Sequence, residues 1–461
     1  MNQKNPLLVP ELREMLDAHD VEALREFCEA AHPAIVAELL SALSGEEVWA
    51  VLKHAEPRLG ADIFSHLDDD VQVDVVSKLP RGAIARLLTD MPPDDRADLF
   101  KQLPEELGDA VLPAIAQAER EDIRRLTSYE EGTAGAAMTS DYATLPPQLT
   151  ASEAIEHLRR VAPDKETIYY AYVVDEARRL RGFLSLKDLI VARRDARVEE
   201  IMHPEVIAAR THDDQEEAAR TIQKYDLIAL PVLNGNDALV GIITHDDALD
   251  IITQEHTEDM EKLMAIGGSH EAGVYLRTSS WMHFKNRAGW VVILAVLGMV
   301  SGYIVHSFED LLMQFAILAT FMPMLADTGG NTGSQSATLV VRALALNEIS
   351  PRNILGILAK ELRVSMGLGL LLAVIAFGRV FLFRGGAAAP DEHSMTRIGL
   401  AISIALGLQV VTSTLIGALL PLGAAKLKLD PAVVASPALT TVVDITGLLL
   451  FFTTVKVILG I

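Results

Sequence analysis

From Ile398 to Ala425 the chain carries no charged side chain, and four other stretches come close to the same condition. Ala288–Val305, Leu311–Leu346, Val364–Phe383 and Pro431–Val455 are apolar runs with two charged residues at most. About 20 apolar residues cross the hydrocarbon core of a bilayer as a helix. Inside hydrocarbon the backbone must satisfy its own hydrogen bonds, which leaves few alternatives to a helix. These runs predict five membrane-spanning helices in the C-terminal part. The second is too long for one simple span and is interrupted by Pro323, Asp327 and the pair Gly329–Gly330. Arg379 lies near enough to an end of the third to snorkel.

Basic residues orient the helices. Arg277, Lys285, Arg287, Arg342, Arg352, Lys360, Arg363, Lys426 and Lys428 fall on one side. Arg379, Arg384 and Arg397 fall on the other, where the short 307–310 loop is purely acidic. The excess of positive charge marks the cytoplasmic side. The expected topology is therefore a multi-pass protein of the cell (inner or plasma) membrane, N-terminus cytoplasmic and C-terminus outside. The first residues, Met1-Asn-Gln-Lys-Asn-Pro6, lack the apolar core of a cleavable signal peptide.

The remainder is of opposite character. Residues 1–274 hold 27 basic and 54 acidic side chains, whereas residues 275–461 hold 13 and 9. An acidic, soluble part is thus joined to an apolar one. The formal net charge of -23 disfavours nucleic acid as a partner. Cys28 is the only cysteine, which excludes an intrachain disulfide and a cysteine metal cluster. No Gly-x-x-x-x-Gly-Lys-Ser/Thr loop is present to power a pump.

Two acids within the apolar part carry most of the chemical information. Asp444 sits near the middle of the fifth run, with no basic residue close to it in that run. A carboxylate at the bilayer centre costs about 2.5–3.5 kcal/mol on insertion scales and is normally paired or placed on an ion path. A cation site is the sharper reading and a structural hydrogen bond the blander one. Asp327 opens the polar stretch Asp-Thr-Gly-Gly-Asn-Thr-Gly-Ser-Gln-Ser336, which either lines a water-filled cavity or caps a restarted helix. Oxygen donors without histidine or cysteine suit a hard cation such as magnesium. Magnesium gives up water reluctantly, so a pore would hold it hydrated between carboxylate and carbonyl oxygens. The small residues after Pro437 would expose such carbonyls near Thr440. Five spans show no inverted repeat, which suggests a symmetric dimer enclosing the pore. A secondary carrier for divalent cations is the main alternative. An intramembrane aspartic protease using Asp327 and Asp444 as its dyad is a second, from another class.

The soluble part contains a repeat. Gly182-Phe-Leu-Ser185-Leu-Lys-Asp188 matches Gly241-Ile-Ile-Thr244-His-Asp-Asp247 at an offset of 59, as Tyr172-Val-Val-Asp175 matches Pro231-Val-Leu-Asn234. The helical segment around Ala154 matches Ala218 at 64, so one copy has a loop five residues longer. Each copy reads as helix, strand, turn, strand and helix. Upstream, Leu67-Asp68, Leu79-Pro80, Met91-Pro92 and Leu103-Pro104 recur every 12 residues. A proline at each step fits the first turn of a new short helix, hence a superhelix of short antiparallel helices. From Asp246 to Gly268 an acid-rich helix is expected, running toward the first span.

The repeat resembles a tandem pair of CBS domains. That resemblance implies a cleft that often binds adenine nucleotides such as ATP, with Ser185, Asp188, Thr244 and Asp247 as candidate contacts. A purely structural pair is the other reading. The order of parts, with Pro323, Thr328-Gly-Gly-Asn331, Gln335, Arg342, Lys360-Glu361, Pro421, Asp430-Pro431, Pro437 and Asp444-Ile-Thr-Gly447, resembles the MgtE family of magnesium channels over the whole chain. The resemblance implies a homodimer in which Asp444 holds hydrated Mg2+, aided by the carbonyl of Thr440, with Asn331 lining the narrow part. Ser436 departs from the asparagine that commonly precedes the proline, a difference that bears on selectivity against cobalt or manganese.

The expected fold class is a mainly α membrane protein. It comprises an acidic helical superhelix (1–130), an α/β CBS pair (131–255), an acidic connecting helix (246–275) and a five-helix transmembrane domain (276–461). Charge patterning adds a regulatory expectation. The acids Asp94, Asp95 and Asp98 of the first domain repel those of the second CBS copy, Asp213, Asp214, Glu216 and Asp226, and the run Asp246, Asp247, Asp250, Glu255, Glu258, Asp259 and Glu261. Magnesium bound between these carboxylates would draw the parts together, bring the connecting helix onto the inner mouth of the pore and close it. The transported ion would shut its own path.

Overall fold

The computed structural model describes residues 8–268, 278–346, 348–382, 394–434 and 437–461. Arg277, Arg384 and Ser436, used above for topology and selectivity, lie outside the described residues, as do residues 269–275 of the expected connecting helix. The chain divides into two compact units, Met1–Glu255 and His256–Ile461.

The first unit begins with ten short helices. From the sixth onward they start at residues 69, 81, 93 and 105, the 12-residue step of the sequence. Pro80, Pro92 and Pro104 stand one residue before the first helical turn, at the N-cap, where an extended ψ is compatible with the fixed ring. Helices pack on the next but one along the chain. Gly45–Leu52 contacts Asp69–Lys78, then Pro93–Gln102, then Gln117–Leu126; Pro33–Leu40, Pro57–Ser65, Arg81–Asp90 and Glu105–Val111 form the second row. Val36, Leu40, Val51, Ile63, Phe64, Val75, Ile84 and Leu88 fill the seam between the rows. Cys28 is fully buried in the same core. The superhelix expected from the period is what forms.

Two three-stranded sheets follow, β1 (Tyr142–Leu145), β2 (Thr167–Val174) and β3 (Leu180–Ser185), then β4 (Ala209–Arg210), β5 (Ala229–Leu233) and β6 (Leu239–Thr244). In each the first strand is parallel and the third antiparallel to the central one. Val173 pairs with Gly182 and Val232 with Gly241, so the offset of 59 is preserved in the register. The helices Ala151–Val161 and Gln215–Tyr225 keep the offset of 64, and the 3-10 turn Ala162–Asp164 lies in the longer loop of the first copy. The short strands β1 and β4 escape the sequence reading because two to four residues carry no usable alternation.

The acid-rich helix runs from His245 to Leu263 and ends sooner than expected. Ala265 adopts a left-handed φ of 54°, and the Ile266 N–H returns to the Glu261 carbonyl at 2.9 Å. That closes the helix in the manner of a Schellman stop.

Five long helices dominate the second unit: α1 (Ser280–Ser307), α2 (Met322–Ala345), α3 (Ile354–Leu382), α4 (Met395–Lys426) and α5 (Pro437–Leu459). Four of them, α1, α3, α4 and α5, are long and apolar enough to cross a membrane. With 24 residues α2 is long enough as well, but its polar stretch lowers its hydropathy. The expected interruption is displaced. Asp327 and the glycine pair lie inside one continuous helix, and the irregular backbone is upstream, where the 3-10 segment Ala316–Phe321 turns Leu318 and Phe321 into the core. Asp327 therefore does not cap a restarted helix. Hydroxyl groups returning to backbone carbonyls hold the polar turns, as in Thr332 Oγ1 to the Thr328 oxygen at 2.8 Å. Helix α4 is the centre of the packing, with 61% of its apolar window buried against 6% for α1. Trp281, Phe284, Val291, Val296 and Met299 of α1 remain exposed, as lipid-facing residues should be.

Candidate cation site

Small residues set how closely the helices around Asp444 approach. A Cβ on Gly417 of α4 would come 2.2 Å from the carbonyl oxygen of Gly333 on α2, so these two backbones touch. A Cβ on Gly330 would meet Thr440 Cγ2 at 3.4 Å, and one on Gly329 would meet Val443 Cγ1 at 3.0 Å. Gly333 faces Val443 and Leu439 in turn. Residues 329–333 of α2 therefore run beside residues 443–439 of α5 in the opposite direction. Such small-residue faces are the usual means of packing helices tightly in a membrane.

The candidate side chains project from this antiparallel pair. Asn331 Nδ2 donates to Asp327 Oδ1 at 3.0 Å, one helical turn away, and both side chains are exposed. On α5 the carboxylate of Asp444 is half-buried, and its Oδ1 has no hydrogen-bond partner among the described residues. A buried carboxylate oxygen without a donor is costly and needs an explanation. Asn331 on α2 and Thr440 and Asp444 on α5 thus belong to helices that pack against each other. The donor set is all oxygen, suited to a hard divalent cation and unsuited to a soft one. Gln409, buried on α4, is a polar residue of this region that the sequence reading misses. The spacing Gln409-x3-Ser413-x3-Gly417, which puts all three on one helical face, is the signal that would have found it.

A second concentration of charge lies within the first unit. Asp94 is half-buried, with an enclosed and unpartnered Oδ1. Burial first, and then the carboxylates of Asp95, Asp247 and Glu166, raise its carboxyl well above the usual carboxylate range. Burial likewise pushes Asp95 up to about 6 and Glu166 to about 7, with Asp247 adding to both. Asp247 and Asp250 are raised by burial and by the charge of Asp246. Glu166 is absent from the sequence-based set because only the fold brings the start of β2 beside Asp247. Most of the other expected acids have ordinary partners. Asp98 pairs with Lys101 at 2.9 Å, Asp213 accepts the Arg210 N–H, Asp214 caps its helix and Glu216 pairs with Arg220. Asp226 is the left-handed C-cap of that helix, and Glu255 accepts from Gln215. Glu258 bonds Lys262, which also reaches Asp430 at 3.0 Å; burial and then Asp430 raise the Asp259 carboxyl. Among the described residues no three acidic or histidine side chains converge tightly enough to cage an ion.

In the CBS pair, Ser185 and Asp188 form a capping box, with Ser185 Oγ donating to Asp188 Oδ2 at 2.6 Å and the Asp188 N–H returning to Ser185 Oγ. His203 Nε2 lies 3.3 Å from the same carboxylate oxygen. Thr244 Oγ1 donates to Asp247 in the same way. The copies differ in surroundings: Asp188 is held below the usual carboxylate range by Ser185 and His203 against the opposing effect of burial, whereas Asp247 sits among acids.

An apolar helix bundle with an embedded carboxylate, following a CBS pair in the chain, has the make-up of a membrane transport protein. Comparison with known proteins agrees. The MgtE divalent cation transporter domain matches residues 322–454, the MgtE intracellular N domain 31–132, and CBS domains 134–195 and 198–254. The magnesium transporter MgtE of Thermus thermophilus is 38% identical over 459 residues, covering 98% of each chain. That of Bacillus subtilis is 33% identical, covering 85% of this chain and 84% of its own. A crystal structure of the soluble part of a magnesium transporter, 32% identical, covers 53% of this chain and 97% of its own with a TM-score of 0.51. The chain belongs to the MgtE family of divalent cation transporters. It is a multi-pass membrane protein and not an enzyme, which removes the protease reading of Asp327 and Asp444.

Proposed function

We propose that the protein is a magnesium channel of the cell membrane, working as a homodimer that admits Mg2+ to the cytoplasm and is closed by cytosolic Mg2+. The observation that carries this reading is the half-buried carboxylate of Asp444 with one oxygen unpartnered. A hydrated magnesium ion supplies water protons to such an oxygen without being stripped. The carbonyl of Thr440 and the amide of Asn331 act as further oxygen acceptors for the same hydration shell. The names of the relatives support the choice of ion. The antiparallel run of α2 beside α5 fits a chain in which each of the five long helices crosses the membrane in turn. In a strain without its own magnesium transporters, Asp444→Ala should abolish magnesium uptake. Full uptake by correctly inserted Asp444→Ala protein would refute the pore. Unitary currents in a planar bilayer distinguish a channel from a carrier.

Closure rests on the acids of the first unit. When ionised, Asp94, Asp95, Glu166 and Asp247 repel one another, and a divalent cation relieves that repulsion. The helix His245–Leu263 carries part of the cluster at its start and reaches Asp430, ahead of α5, through Lys262. For nucleotide, the first CBS copy is the better site, because Asp188 has a histidine beside it while a triphosphate would meet acids at Asp247. Calorimetry should give saturable ATP binding that Asp188→Ala weakens. No heat at millimolar ATP with folded protein would leave the pair a structural module.

A further inference from the structure

Gln409 is the most enclosed amide side chain among the described residues of the helix bundle, 1% exposed, in the middle of the apolar helix α4. Its Nε2 donates to the main-chain carbonyl of Val443 on α5 at 3.3 Å, one residue before Asp444. The space it fills exists because two neighbours are glycines. A Cβ on Gly329 of α2 would lie 2.4 Å from Gln409 Nε2, and one on Gly447 of α5 would lie 2.1 Å from it. The amide is thus clamped between the two helices that carry Asn331 and Asp444, while hydrogen-bonded to the backbone of one of them. An amide buried at this depth is costly unless its bonds are made, so each helix rotation that breaks the Val443 contact is disfavoured. Rotating α5 about its axis is what would swing Asp444.

We infer that Gln409 is a positioning residue for the ion path: it fixes the axial rotation of α5 against α2, and so the direction in which the Asp444 carboxylate meets the hydrated ion. The inference rests on the pore reading of Asp444. A polar residue that merely filled space would affect how much protein inserts and leave ion discrimination alone. A positioning residue changes how strongly the site holds its ion. The test is uptake by full-length protein in cells lacking other magnesium transporters, normalised to inserted protein, against external magnesium and with calcium as competitor. Gln409→Met keeps the length of the side chain and removes the donor. Gly447→Ala keeps Gln409 and displaces its amide. Both should raise half-saturating magnesium about five- to tenfold, the effect of losing one buried hydrogen bond, and should raise sensitivity to calcium. If either variant inserts normally and shows the parent's magnesium dependence and calcium sensitivity, the inference is overturned. Asp444→Ala, run alongside, separates the two failures: uptake that survives it refutes the pore itself, whatever Gln409 does.

Discussion

Asp444 and Asp94 are both half-buried acids with an enclosed, orphaned oxygen, yet only one of them is conspicuous in the sequence. Asp444 interrupts a run without other charges, where a single carboxylate has to be explained. Asp94 stands in a chain already crowded with acids, and nothing local distinguishes it from Asp98, which is exposed and paired with Lys101. Glu166 is harder still, because its neighbours Asp95 and Asp247 are remote in sequence. Acidic run and acidic cluster are different things, and only tertiary packing turns one into the other. For Asp94 the consequence is measurable. Asp94→Asn replaces a repelled buried carboxyl by a neutral group of the same shape, which should stabilise the protein in chelator by about 1–2 kcal/mol. The same variant should gain less from added magnesium. Thermal melting with and without magnesium gives both quantities, and a destabilised variant would contradict the account of the cluster.

Helix α2 shows how element boundaries depend on partners. Judged by itself, a segment with Pro323, three glycines and six hydroxyl or amide side chains between Thr328 and Ser336 should break. It does not, because Gly329, Gly330 and Gly333 are the contact surface for α4 and α5, and the hydroxyls bond within their own helix. Glycine's cost in an isolated helix is offset by close approach. The 12-residue repeat and the 59-residue repeat were legible for the opposite reason, since each is set by local punctuation. The close approach of α4 to α2 has a direct test. Gly417→Ala would press a methyl group against the Gly333 backbone, which has no side-chain end to move aside. It should cost more than about 2 kcal/mol and lower the amount of assembled protein. Gly423→Ala, on the same helix with open space around it, should be nearly neutral. Comparable expression of the two variants would contradict the close contact.

For the protein as a whole, the raised carboxyls of Met1–Glu255 make its stability depend on pH in a defined direction. Unfolded Asp and Glu titrate near 4, whereas Asp95 is pushed up to about 6 and Glu166 to about 7. Between these values the folded state binds more protons than the unfolded chain, so stability should increase as pH falls from about 7.5 to about 5. Above about 8 the penalty of these two groups is fully present. Protons and magnesium then compete for the same oxygens. Protease protection of the 130–280 region by magnesium should therefore require several-fold more magnesium at pH 6 than at pH 8. Neutral Asp246, Asp247, Asp250 and Glu258 should abolish the protection. Protection independent of pH would place the sensing elsewhere. Charge arithmetic on the sequence was enough to foresee repulsion, but not which acids feel it, because most of the others have found a lysine, an arginine or a helix N-terminus.

Cys28 gives these experiments a practical advantage. The thiol is fully enclosed in the superhelix core, and burial pushes it up to about 11, so at neutral pH it is neither reachable nor ionised. A maleimide or nitroxide reagent meets no competing target in the native protein. Single cysteines placed along α2 or α5 can therefore carry a fluorophore or spin label without first rebuilding the wild-type core, and helix rotation can be followed by spectroscopy in the unmodified fold.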